Sequence, residues 1–212
     1  FCAVASFGPL FHTPRCSYPC SVACDCPCWP VQCEYLVEAI RKAAADARWR
    51  LREAAAMALQ HLGEGDPAAL RLILADWLKD CSLTEHRAVL AALAHPPLLA
   101  RKGLARFALR AGDAALKRIH VLPAAQRKEE GFRVLVKGAS YALSVFAAAL
   151  PKEGLALLEH WKSADDPVIR RIVGANLGKN RLKAARARPK ARPTPKAHPT
   201  PKAHPTPKAR PT

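Results

Sequence analysis

Seven of the eight cysteines lie at or before position 33, at Cys2, Cys16, Cys20, Cys24, Cys26, Cys28 and Cys33. Thiols this dense could hold zinc or an iron–sulfur cluster, or pair as disulfides. Their spacing suits neither use. There is no pair of C-x-x-C knuckles, and the odd count leaves a thiol over in any all-disulfide scheme. Helical patterning is also absent before Glu34, and the chain opens on Phe1 without the basic start and clean apolar run of a signal peptide. Residues 1–33 therefore read as a leader that is disordered or spurious, on a start that is incomplete or wrongly defined, and no metal is assigned. Cys81 stands alone on an apolar helix face, the pattern of a buried, inert thiol.

The histidines of the body, His61, His86, His95, His120 and His160, stand singly, with no H-E-x-x-H, H-x-H or i,i+4 His/Asp pair. They read as surface or internally satisfied side chains. The chain has no G-x-S-x-G, no P-loop and no G-x-G-x-x-G. No catalytic residue and no cofactor follow.

Basic chemistry concentrates at the other end. From Pro189 the chain is four hexads of P-K-A-[RH]-P-T. Two prolines in six residues and no large apolar side chain cannot build a core, so residues 183–212 are expected to be a disordered tail biased to polyproline II. In that form Lys190, Lys196, Lys202 and Lys208 recur on one side at about 19 Å intervals, with Arg192 and Arg210 beside them. Such a polycation binds phosphate backbones by counterion release and without base specificity. Its T-P-K units resemble those of linker-histone tails and of Lys/Pro/Ala-rich tails on bacterial histone-like proteins. A solubilising linker is the competing reading.

The charge of +17 over 212 residues is thus uneven. Residues 181–212 carry +10 and residues 1–33 are neutral, which leaves +7 for the middle. No window of about 18 uncharged apolar residues exists, so no membrane-crossing helix is expected. Thirteen aromatic residues and ten glycines, against abundant Ala and Leu, argue against an all-β or Gly-rich nucleotide-binding domain.

What must position any site is helix. Phe132, Leu135, Val136, Ala139, Ala142, Leu143, Phe146, Ala149 and Leu150 form an i, i+3, i+4 stripe that predicts a helix from about Glu129 to Leu150. Asp66-Pro67 opens a second, carrying Leu70, Ile73, Leu74, Trp77 and Leu78. Ser82 and Glu85 have capping-box spacing ahead of Val89, Leu90 and Leu93, which Pro96-Pro97 stop. Asp166-Pro167 opens a helix with Ile169, Ile172, Val173 and Leu177 inward, and Gly63 and Gly65 close the helix of Leu51, Ala55, Ala58, Leu59 and Leu62. None is apolar all round, so each needs a neighbour.

A repeat lies behind them. Arg52 begins R-E-A-A-A-M-A-L, Arg87 begins R-A-V-L-A-A-L, Arg133 begins R-V-L-V-K-G-A-S-Y-A-L and Arg170 begins R-R-I-V-G-A-N-L. With an acidic turn before an arginine and Ala/Leu after it, the sequence resembles the HEAT-repeat family over roughly Tyr35 to Arg181. Residues between Pro97 and Lys128 depart from it, because Arg101-Lys102-Gly103 and Val121-Leu122-Pro123 break the period. The resemblance implies an all-α fold, an α-solenoid of helical hairpins over residues 34–182, with the four arginines as structural repeat residues bonded to neighbouring turns.

HEAT-like folds include the bacterial DNA alkylation repair glycosylases, which hold a damaged nucleotide with Trp and Asp on a basic concave face. Asp76-Trp77, Trp161 and Asp165-Asp166 offer those residue types, with basic pairs at Arg101-Lys102, Lys117-Arg118 and Arg170-Arg171. Trp77 falls on its helix's apolar stripe, however, which favours core packing. The expectation is a non-enzymatic cytoplasmic scaffold, nucleoid-associated through its tail, that binds a protein partner or nucleic acid. The alternative is a glycosylase-like or damaged-DNA-binding protein.

Overall fold

The computed structural model describes the backbone from Trp29 to Ala187 and the side chains from Glu34 to Lys183. Among these residues there are ten α-helices and one 3₁₀ turn, Gln126–Lys128, and no strand. The helices are α1 (Trp29–Ala45), α2 (Trp49–Gly65), α3 (Pro67–Asp80), α4 (Leu83–Leu93), α5 (Pro96–Leu99), α6 (Lys102–Val121), α7 (Glu130–Ala149), α8 (Pro151–Lys162), α9 (Pro167–Leu177) and α10 (Asn180–Ala187). The Cys-rich stretch up to Cys28 lies outside the described residues. Helix α1 starts at Trp29, ahead of the Glu34 at which helical patterning sets in.

Side chains end the helices where the sequence places them. The Asp66 carboxylate accepts from the amides of Ala68 (3.0 Å) and Ala69 (2.9 Å), with Pro67 at the first helical position of α3. At α4 the Ser82 hydroxyl accepts from the Glu85 amide (3.2 Å) while the Glu85 carboxylate accepts from the Ser82 amide (2.5 Å), a reciprocal box. Asp166 accepts from the Val168 amide at 2.8 Å to open α9. The breaks at Arg101–Gly103 and Val121–Pro123 prove to be the two ends of α6. Small residues (Ala105, Ala108, Ala111, Gly112, Ala115) fill half of its buried face, beside Leu104, Phe107, Leu109, Leu116 and Ile119.

Consecutive helices pair as α1 with α2, α3 with α4, α6 with α7 and α8 with α9. The second members also pack on one another in the order α2, α4, α7, α9, and α10 lies against α7, α8 and α9. One apolar core runs through all of them. Helix α7 is its axis, with Leu135, Ala139, Leu143 and Phe146 buried. Each such leucine or phenylalanine stabilises the fold by about 1.5–3 kcal/mol. Among the described residues α7 is the one helix long and apolar enough to cross a membrane, and 56% of its most apolar window is buried inside the protein.

Two contacts fix the spacing around this axis. A Cβ on Gly154 would stand 2.3 Å from the Ala147 Cα, so α7 and α8 meet backbone to backbone and only glycine fits. From α9, the fully buried Asn176 accepts from the Ser144 amide (2.7 Å) and donates to the carbonyls of Ala139 (3.0 Å) and Ile172 (2.8 Å). That amide group therefore has partners on both helices.

Burial also governs His86 on α4, whose Nε2 sits 3.2 Å from the Ala111 carbonyl. Desolvation pushes its pKa down to about 4, so the neutral ring donates to Ala111, and Nδ1 is left buried without a partner among the described residues.

Candidate functional site

The four repeat arginines occupy one position each on α2, α4, α7 and α9, but not one environment. Arg52 is buried and donates through Nη1 to the carbonyls of Asp46 and Ala47, both at 2.8 Å. Arg170, 118 residues later in the chain and exposed, donates through Nη1 to the carbonyls of Ala164 (3.0 Å) and Asp165 (2.9 Å). The offsets of six and five residues are the same. Each guanidinium ties off the turn before its helix, where no helical partner exists for those carbonyls.

Arg52 also reaches the Glu130 carboxylate at 3.0 Å on α7, and Arg87 pairs with Glu53 on α2. The Arg133 guanidinium is exposed and has no hydrogen-bonding or ionic partner among the described residues. It lies one turn before Lys137 on the same face of α7, and Lys137 is exposed and unpaired in the same sense.

Between α2, α4 and α7 runs a groove of about 650 Å³. Trp49, Met57 and Gln60 line it from α2, Arg87 and Ala91 from α4, and Lys137, Gly138 and Tyr141 from α7. Gly138 leaves the space in which the Arg87 stem crosses α7, since a Cβ there would stand 2.9 Å from the Arg87 Cγ. Trp49, Met57 and Tyr141 are 59%, 64% and 53% exposed, large apolar groups gathered in one groove, whereas the other exposed ones, Tyr35, Leu36, Leu72 and Val121, lie outside it. A guanidinium covers each ring, Arg50 at 5.0 Å from the Trp49 centroid and Arg181 at 4.9 Å from that of Tyr141. The acids nearby, Glu53 and Glu130, are engaged by Arg87 and Arg52. What remains is a groove with exposed aromatic rings and one lining cation, Lys137, that lacks a counter-charge among the described residues.

Sequence reasoning did not single out this set. A basic tripeptide around an aromatic, Arg48-Trp49-Arg50, and the spacing of Arg133, Lys137 and Tyr141 by four residues were the available signals.

The tryptophans it did single out point inward. Trp77 is 2% and Trp161 8% exposed, and neither can stack on a nucleotide without unfolding its helix. Trp161 donates to Asp113 at 2.8 Å, with His120 and His160 edge-on to its ring. Their acidic neighbours are also used: Asp76 pairs with Lys79 (2.8 Å), and Asp166 caps α9 and pairs with Arg127 (2.6 Å). Although burial acts to raise the Asp166 carboxyl, the bonds from Arg127 and the Val168 amide outweigh it and hold it below the usual range. The basic pairs divide similarly, Lys117 going to Asp113 (2.7 Å) and Arg118 to the Cys81 carbonyl (2.5 Å). Cys81 is buried, and burial pushes its thiol pKa up, away from the reactive thiolate.

His61 and His95 both contact Glu64, at 3.2 and 2.7 Å. Among the described residues no three His, Cys, Asp or Glu side chains converge as a metal-ligand set. The tail cations Lys190, Arg192, Lys196, Lys202, Lys208 and Arg210 lie outside the described residues. Compared with protein-family models, with curated proteins and with solved structures, the chain gives no significant match.

Proposed function

We propose that the four hairpins form a HEAT-like α-solenoid and that the protein is a non-enzymatic scaffold attached to nucleic acid through its groove and its tail. The observation that carries this reading is the groove of α2, α4 and α7, where the exposed Trp49 and Tyr141 rings stand with Lys137, a lining cation without an acidic partner among the described residues. Repeat arginines with identical turn bonds at Arg52 and Arg170, and second helices packed in chain order, support the repeat architecture. The basic hexads supply a second, sequence-indifferent attachment to phosphate. Such a protein would work in the cytoplasm, at the nucleoid.

The glycosylase-like alternative has less behind it, since Trp77 and Trp161 are core side chains and the groove's own acid, Glu53, is paired. A salt-titrated binding assay on the full chain and on a chain ending at Ala187 tests the proposal. Helix α10 runs to Ala187 and Leu182 within it is buried, so the cut belongs after the helix. Binding that falls steeply with salt, weakens on truncation and keeps a residue assignable to the groove supports it. Absence of salt-dependent binding by the full chain overturns it.

A further inference from the structure

We infer that the solvent-facing edge of α7, with Arg181 of α10 at its far end, is a docking line for the phosphate backbone of duplex nucleic acid. This rests on the nucleic-acid reading above and gives it a line of contact on the folded body. Past its first residue, α7 has three exposed positions, Arg133, Lys137 and Tyr141. They stand four residues apart and so follow one another along a single face, rising about 6 Å at each step. Arg133 and Lys137 have no ionic partner among the described residues. The third place is positive too, because the Arg181 guanidinium lies 4.9 Å from the Tyr141 ring centroid, and Arg181 also lacks an ionic partner among the described residues. The one helix that runs through the centre of the core thus meets solvent along a row of three cations.

The neighbouring elements add charge of the same sign. Helix α9 runs beside α7 in the same direction: Arg127 and Asp166 pair at 2.6 Å ahead of the two helices, Asn176 bonds to Ala139 and Ser144 at mid-length, and Arg181 reaches Tyr141 from beyond the end of α9. Between Gly131 and Leu150, and again between Pro167 and Lys183, every charged residue is basic. The exposed acids sit at one end, Glu129 and Asp165 just ahead of the two helices, and Glu130 is engaged by Arg52. From Arg133 to Tyr141 the row is about 12 Å long, the length of three or four phosphates on one duplex strand at about 3.4 Å each. A duplex carries those phosphates on a stiff track and keeps its bases stacked inside. The row asks nothing of the bases, since the ring of Tyr141 is already covered. An acidic peptide would meet the same charges but would find no uncovered apolar anchor on the row.

The test uses the full chain and fluorescence anisotropy with a labelled DNA duplex of two helical turns, about 20 base pairs, one of its strands alone, and a labelled polyglutamate peptide. The duplex binds more tightly than the strand, and a second duplex of different sequence binds equally well. Arg133→Gln, Lys137→Gln and Arg181→Gln each reduce the magnitude of the slope of log K against log salt by about 0.9 for the duplex, and the triple variant by about 2.7. Arg133→Lys keeps the parent slope, because the row supplies charge rather than a fork of donors. Lys79→Gln removes an equal charge from α3, where Asp76 already answers it, and leaves the slope unchanged. All four side chains are exposed, so the far-ultraviolet circular dichroism of every variant matches the parent.

Duplex binding whose slope is the same in the triple variant and the parent overturns the inference while leaving the broader nucleic-acid reading intact. So does an equal loss of slope in Lys79→Gln, which would make net charge rather than the row responsible. Tighter binding of the single strand than of the duplex overturns the assignment to duplex. Failure of duplex and strand alike to bind defeats the broader reading itself. Polyglutamate binding that depends on Arg133 and Lys137, without oligonucleotide binding, gives the row to an acidic protein partner and overturns the inference.

Discussion

The first and second helices of the four hairpins use charge differently. Every first helix carries an acid–lysine pair within itself: Glu38–Lys42 on α1, Asp76–Lys79 on α3, Asp113–Lys117 on α6 and Glu159–Lys162 on α8. On the second helices Glu53 of α2 reaches across to Arg87 of α4 and Glu130 of α7 to Arg52 of α2, while Glu64 of α2 also meets His61 within its own helix. Short-range pairs neutralise their own surface and leave little field. Cross-helix pairs hold neighbours together and leave Arg133 and Lys137 unmatched. The tryptophans divide the same way, Trp77 and Trp161 buried on α3 and α8, Trp49 exposed on α2. An even count of basic residues therefore conceals one quiet surface and one attractive surface.

The largest test of this contrast exchanges the tryptophans for alanine. Trp161→Ala removes a buried ring and its bond to Asp113 and is expected to cost about 3–5 kcal/mol in chemical denaturation. Trp49→Ala, with its ring in solvent, is expected to stay within about 0.5 kcal/mol. Comparable losses at the two sites would erase the distinction between the surfaces.

Acid comes next. His86 titrates near 4 when folded and near 6.5 when unfolded, so the unfolded state binds the proton first and stability is lost as pH falls through that window. The loss is expected to reach about 3 kcal/mol by pH 4. At Glu85 burial acts to raise the carboxyl, but bonds from the Ser82 amide and Arg41 dominate and hold it low. Its contribution is present above its unfolded pKa and fades as pH drops through the folded value. Denaturation midpoints measured against pH should show a slope beginning near 6.5 that His86→Leu abolishes, with the carboxylate contribution remaining below it.

The repeated turn brackets give a smaller, paired effect. Arg52→Met should cost about 2 kcal/mol, because hydrogen bonds from a buried charged donor are lost. The same bonds at exposed Arg170 compete with water, and Arg170→Met should cost less than about 1 kcal/mol. Smallest of all, Lys117→Ala at an exposed in-helix pair should change stability by about 0.5 kcal/mol or less. Thermal melts of the three variants rank them directly.

Local signals carried most of the fold. Asp66, Ser82, Glu85 and Asp166 act on amides two or three residues away, so their caps could be read from spacing. The third hairpin's first helix was obscured instead by its own ends, since Arg101-Lys102-Gly103 and Val121-Leu122-Pro123 read as breaks in the repeat although Leu104, Phe107, Ala108, Ala111 and Ala115 recur between them at helical spacing. The site was less legible still. Arg87 finding Glu53, or Arg52 finding Glu130, depends on how helices separated by 34 and 78 positions come together. Spacing alone placed Trp77 on an apolar stripe, whereas nothing in the spacing marked Trp49 as exposed. Asn176 was hidden by its position on an otherwise apolar stripe.

Asn176 has a mechanical consequence. Packing through alanine and leucine alone lets neighbouring helices slide by small steps, since one methyl contact replaces another at little cost. With its carboxamide oxygen on the Ser144 amide and its nitrogen on the Ala139 and Ile172 carbonyls, any slip of α9 along α7 breaks the two bonds that span the helices with no water to replace them. Under a pull along the stack, that joint is the stiff one.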